Sequence, residues 1–113
     1  MKKAIVIHPG GATETLSIDP ATELSQLQAT VGGYIEAVYP SQNTTLWCNE
    51  DAKHLGLAVN DAATMLWRVL QPASTDVLRG AVVVTGGADG SGDSLAIAPE
   101  TEAVIASLTP AVG

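Results

Sequence analysis

Four apolar residues in succession, Ala81, Val82, Val83 and Val84, constrain this chain more than any other feature of its sequence. A strand with one wet face alternates polar and apolar residues, so an unbroken apolar run demands cover on both faces. Residues 77–85 are therefore expected to form a strand at the centre of a sheet.

Two hairpins are expected to supply the neighbouring strands. Ala4, Ile5, Val6 and Ile7 form a short apolar run closed by Pro9-Gly10-Gly11, and residues 14–18 alternate polar and apolar. Residues 34–39 and 44–48 read as a second strand pair, joined by the polar turn-formers Pro40, Ser41, Gln42 and Asn43. Residues 95–97 suit a further, returning strand.

Helix signals fall between these runs. Asp19-Pro20 has the chemistry of a helix start, Leu24, Leu27 and Val31 share one helical face, and Gly32-Gly33 offers a left-handed stop. Asn49 can cap a short helix with Glu50 and Asp51 in its first turn, Lys53 and His54 in its last, and Gly56 at its end. Asn60 can cap another, with Ala62, Met65, Leu66 and Val69 as the apolar stripe, Trp67 towards one side, and Pro72 as its stop. Pro99 can open a last helix that turns Val104, Ile105 and Leu108 inward. Hairpins mixed with helices indicate an α+β fold: a small mixed, mainly antiparallel sheet of about five to six strands with three to four short helices. The 113 residues fit a single domain, with residues 109–113 expected as a frayed tail. Phe is absent, so the core must be mainly aliphatic, and Trp47 and Trp67 are expected to be buried in it.

The order of Val31-Gly32-Gly33-Tyr34-Ile35-Glu36, Trp47-Cys48-Asn49-Glu50-Asp51-Ala52-Lys53, Leu55-Gly56-Leu57, Asn60 and Arg79-Gly80 with Val82-Val83-Val84-Thr85-Gly86 resembles a known pattern. It is similar to a domain-of-unknown-function family of small proteins from actinobacteria, their phages and other mobile elements. The resemblance implies no activity, cofactor or catalytic residue. It does imply interaction with host machinery, in counter-defence or host take-over, ahead of metabolic catalysis.

Charge and ligand supply narrow the chemistry. A formal charge of −7, with five Lys and Arg against twelve carboxylates, cannot form the basic stripe that phosphate backbones require, so direct nucleic-acid binding is not expected. The carboxylates are scattered instead of forming a dense run, which leaves acidic DNA mimicry as a third-ranked reading. No apolar run approaches the ~20 residues of a membrane span, and residues 4–7 read as a strand and not a signal peptide. A lone cysteine fits a reducing cytoplasm.

Cys48 and His54, with Asn49 or Asp51 as orienting group, invite a thiol–imidazole reading, but a core cysteine and a helix-end histidine explain them more simply. Zinc at His8, Cys48 and His54 lacks a fourth ligand and paired spacing. The Gly- and Asp-rich residues 86–93 would be one isolated copy of a calcium turn. Neither Gly10-Gly11 nor Gly32-Gly33 precedes a Lys-Ser/Thr pair, so neither is a phosphate loop. No catalytic residue, metal or cofactor is expected.

Glu36 is the position where pattern and chemistry disagree. In an alternating strand it shares a face with Tyr34 and Val38 and has bulky neighbours on either side, so it marks a partner site or a salt bridge to Arg68 or Arg79. The candidate binding residues are Gly33, Tyr34, Glu36, Cys48, Asn49, Glu50, Asp51, His54 and Asn60. The expected function is non-catalytic binding, to a host protein or alternatively to a small molecule or nucleotide signal, with a homo-oligomer as a compatible state of the chain.

Overall fold

The computed structural model describes residues 1–108. The expected tail, residues 109–113, lies outside them. Strand β1 (Lys2–Ile7) and strand β2 (Thr13–Ile18) form the opening hairpin. A single 3-10 turn over Pro20–Thr22 leads into helix α1 (Glu23–Val31), and the Asp19 carboxylate accepts the Ala21 amide ahead of Pro20. Gly32 ends α1 in the left-handed conformation (φ 80°), and its amide and that of Gly33 both donate to the Gln28 carbonyl. Strands β3 (Ile35–Ser41) and β4 (Thr44–Asn49) form the second hairpin. Helix α2 (Asp61–Leu70), strand β5 (Val82–Thr85) and helix α3 (Pro99–Leu108) complete the order.

The sheet runs β2-β1-β5-β4-β3, and every neighbouring pair is antiparallel. All four residues of β5 are buried, and β5 lies in the middle, as the apolar run requires. Val82 and Val84 turn to one face with Ile7, Leu46 and Cys48, where Ala63 and Leu66 of α2 and Ile105 of α3 cover them. Val83 turns to the other face with Ala4, Val6 and Ile18, where Leu27 and Val31 of α1 cover it. Each fully buried aliphatic side chain contributes about 1.5–3 kcal/mol relative to exposure, so this two-sided core is the main source of stability.

The structure departs from the sequence expectations in several places. Residues 50–56 form successive turns, with Leu57 N–H donating to the Ala52 carbonyl and Gly56 at φ 65°, because so short a segment does not repay helix nucleation. Of the stripe expected on α2, Leu66 is buried and Ala62 packs partly against the core, but Met65 and Val69 do not turn inward. Ala63, Thr64 and Leu66 are buried, whereas Met65 and Val69 are about half exposed. The Thr64 hydroxyl accepts the Leu78 amide at 3.0 Å and donates to the Asn60 carbonyl at 2.8 Å, which fixes the helix's rotation. Leu24 is likewise exposed, leaving Leu27 and Val31 as the buried pair of α1.

Pro40 lies within β3 and not in the loop, next to a register shift between Val38 and Ser41; an edge strand tolerates both. The central strand is shorter than expected, and residue 79 makes only an isolated bridge to Val59. Residues 95–97 form no named strand, since Leu95 bonds Gly86 and Gly87 while Ile97 N–H reaches the Lys3 carbonyl. Trp47 and Trp67 are half-buried at the core's rim, where their indole N–H groups find Thr85 Oγ1 and Gln71 Oε1.

Candidate functional site

The β3–β4 hairpin places Glu36 directly opposite Cys48. Both line a cleft of about 190 Å³ whose other walls come from Glu50 and Lys53 after β4, Trp67 on α2, and Asp76 to Arg79 before β5. Four of the nine candidate residues, Glu36, Cys48, Asn49 and Glu50, thus meet at one place, and the other five lie outside the cleft lining.

Three candidates are occupied by the fold. Asn60 is wholly buried; its Nδ2 donates to the Ile7 and Gly80 carbonyls, each at 2.8 Å, and its Oδ1 accepts the Ala63 amide at 3.1 Å. One side chain therefore ties β1, the approach to β5 and the start of α2. Asn49 donates to the Val31 carbonyl at 3.1 Å and accepts the Asp51 amide at 2.8 Å. Gly33 makes room for it: a Cβ there would stand 3.0 Å from Asn49 Nδ2. The Gly32-Gly33 pair and Asn49 thus lock the end of α1 to the end of β4.

Cys48 is buried, and its thiol donates to the Glu36 carbonyl at 3.6 Å. Burial, then the negative charges of Glu36 and Asp76, push that thiol up to about 11. The group is protonated near neutrality, the opposite of the depressed thiol that nucleophilic catalysis uses. His54 is exposed and makes no hydrogen bond to Cys48, so the thiol–imidazole pair does not assemble.

Glu36 is exposed and forms no ion pair with Arg68 or Arg79 among the described residues. Arg79 instead donates to the Leu57 carbonyl at 3.1 Å. Lys53 pairs with Asp76 at 3.1 Å, and the Val77 amide, with Lys53 second, holds the Asp76 carboxyl below its ordinary value. Asp76 and Val77 were not among the residues singled out from sequence, because they reach the cleft through a connection without a signal of its own; Arg79, named there as a partner for Glu36, does line the same cleft without pairing with it. Glu50 and Asp51 are exposed, and the Glu50 amide donates to the Tyr34 carbonyl at 2.9 Å.

Tyr34 and Tyr39, at either end of the β3 edge, are 69% and 67% exposed. A second, open hollow of about 500 Å³ lies between Gly10-Gly11, Asp61 and Met65 near the start of α2, and Leu108 at the end of α3.

Among the described residues, no group of three or more His, Cys, Asp or Glu is placed to hold a metal ion. His8 is bonded to Glu14 at 3.0 Å, and the Asp89 carboxylate accepts the Ser91 and Asp93 amides within its own loop. No helix among the described residues is long and apolar enough to cross a membrane.

Neither a curated protein nor a solved structure matches the chain. A family model does, described as a domain of unknown function, DUF3846, over residues 1–109. Many residues of the pattern noted in the sequence, among them Gly32, Gly33, Asn49, Asn60, Gly80 and Val82 to Val84, are those that the fold uses to join its elements. With 109 of its 113 residues matched, the chain belongs to the DUF3846 family.

Proposed function

We propose that this is a non-catalytic binding protein of a phage or mobile element, acting on a host protein in the bacterial cytoplasm, in counter-defence or host take-over. The observation that carries the reading is the exposed tyrosine pair along the sheet's edge, Tyr39 in β3 and Tyr34 just before it, with the carboxylate of Glu36 between them. Exposed aromatics beside polar groups are good interface anchors, because they bury large area at small entropic cost. The remaining candidates support the same reading: the thiol is buried and protonated, the Asn49 and Asn60 side chains hydrogen-bond inside the fold, and Gly33 makes room for Asn49.

The alternative, a sink for a small molecule or nucleotide signal, requires an enclosed polar pocket. The cleft beside Glu36, at about 190 Å³, is smaller than the roughly 300–1,000 Å³ of typical ligand pockets, and the hollow of about 500 Å³ beside Gly10-Gly11 is open instead of enclosed. Affinity capture from host lysate with the wild-type chain and with the double variant Tyr34→Ala/Tyr39→Ala tests the proposal. A host protein retained by the first and lost with the second is the expected result. Identical captures from both would remove the tyrosine edge from consideration.

A further inference from the structure

The two edges of the sheet differ. At the β2 edge, Gln26 of α1 reaches across and donates to the Ser17 carbonyl at 2.9 Å, while its Oε1 accepts the Asp19 amide at 2.7 Å. Among the described residues no such cover is present on β3. The Tyr34 carbonyl takes the Glu50 amide and the Glu36 carbonyl takes the Cys48 thiol, so these residues turn their backbone groups towards β4. Antiparallel strands alternate, so Ile35 and Ala37 turn their amides and carbonyls away from β4, along the open edge. Pro40 and the register shift after Val38 end this open stretch. What remains is a short rail with an exposed tyrosine at each end.

Charge selects the occupant. The cleft below the rail holds three carboxylates, Glu36, Glu50 and Asp76, against two cations, Lys53 and Arg79. Lys53 is paired with Asp76 and Arg79 donates to the Leu57 carbonyl, and among the described residues no cation pairs with Glu36, which lines the cleft together with the half-buried Trp67. A second copy of the chain fits poorly, because pairing two β3 edges brings like-charged Glu36 side chains together on molecules of formal charge −7.

We propose that the β3 edge accepts a short, extended, positively charged segment of a partner protein as a sixth strand, with one basic side chain lodged between Glu36 and Trp67. The inference rests on the binding-protein reading above and adds the chemistry of the partner. Main-chain bonds to Ile35 and Ala37 supply register, and the carboxylate and indole supply selection for a guanidinium or ammonium group.

The probe is a blocked pentapeptide of sequence Thr-Arg-Val-Arg-Thr, titrated into the isotope-labelled full chain while amide resonances are followed. Saturable shifts at Ile35 and Ala37 are expected, with affinity about tenfold weaker in Glu36→Gln, since a charge-assisted contact is lost. Ala37→Pro removes an outward amide that the fold does not use, and should abolish the response while leaving the rest of the spectrum native. The peptide with glutamate in place of both arginines should not bind. The proposal is overturned if the edge amides do not respond, if the acidic peptide binds equally, if Glu36→Gln is without effect, or if arginine amide alone binds as tightly as the peptide. Concentration-dependent dimerisation through the same amides would overturn it in favour of self-pairing. Should the basic peptide fail while lysate capture still depends on Tyr34 and Tyr39, strand addition falls and the binding-protein reading stands.

Discussion

Replacing Asn60 by alanine is the most severe polar substitution this fold offers. The side chain is wholly buried, and its loss strands the Ile7 and Gly80 carbonyls and the Ala63 amide together. Each intramolecular hydrogen bond contributes about 1 kcal/mol net, a buried group left unpartnered costs roughly 1–3 kcal/mol, and a helix cap contributes about 1 kcal/mol. The three losses overlap, so the expected destabilisation of Asn60→Ala is about 3–5 kcal/mol, a large share of the ~5–15 kcal/mol that folded domains possess. Urea unfolding followed by tryptophan fluorescence would read this as a midpoint lowered by roughly 2 M, given slopes of about 1–3 kcal/mol per molar. Asn60→Asp sharpens the test, because it keeps an oxygen for the Ala63 amide but loses both donors and sets a carboxylate against two carbonyls. It should be at least as unstable as alanine at neutral pH. A loss below about 1 kcal/mol for either variant would refute the reasoning.

Other outcomes follow from single features of the structure. Alkylation of Cys48 at pH 8 should be about a hundredfold slower than that of a free cysteine peptide and rise about tenfold per pH unit towards 11; rapid labelling with a lower apparent pKa would reverse the thiol's assignment. Because the folded thiol is raised above its ordinary 9.0, its contribution to stability is complete below pH 9 and should be lost between about 9 and 11, measurable as a falling urea midpoint that Cys48→Ala does not show. Gly86→Ala would bring a Cβ to 2.4 Å from the Ala96 carbonyl and should cost upwards of 1–3 kcal/mol, whereas Gly90→Ala meets nothing within 4 Å and should stay within about 0.5 kcal/mol of wild type in thermal melts. Asp76→Ala breaks an exposed ion pair with Lys53 and should shift stability by no more than about 1 kcal/mol, less in high salt.

What could be read from the sequence was whatever local pattern and global packing agreed upon. The run Ala81 to Val84 announced a two-sided strand, Asp19-Pro20 marked the 3-10 turn that leads into α1 and Gly32 its end, and Asn60 announced the start of α2. The facing of α2 was not legible. Its apolar arc is wide, so two overlapping stripes fit within it, and the Thr64–Leu78 bond to a distant segment goes with the one that is buried. The turns after Asn49 failed as a helix because cap chemistry alone says nothing about length. At the candidate site the expected pairing of the two strands holds, but alternation fixes only the face a residue takes, and that Glu36 stands opposite Cys48 follows from the register of the hairpin. The Lys53–Asp76 pair was invisible, because its meeting depends on how a patternless connection returns to the sheet, whereas Arg79 was named beside Glu36 on charge alone and shares its cleft without pairing.

The central position of β5 also bears on how the chain comes to be folded. Both hairpins, β1–β2 and β3–β4, are local and can close while the chain is still being made, yet neither touches the other in the finished sheet except through Val82 to Thr85. On the ribosome, two hairpins must therefore wait with an inner edge unpaired until the last quarter of the chain emerges. Insertion of that strand closes the sheet and, through Asn60, fixes α2 in the same event. Folding should be a late, all-or-none step, and truncation before Val82 should leave an aggregation-prone pair of hairpins instead of a smaller stable domain.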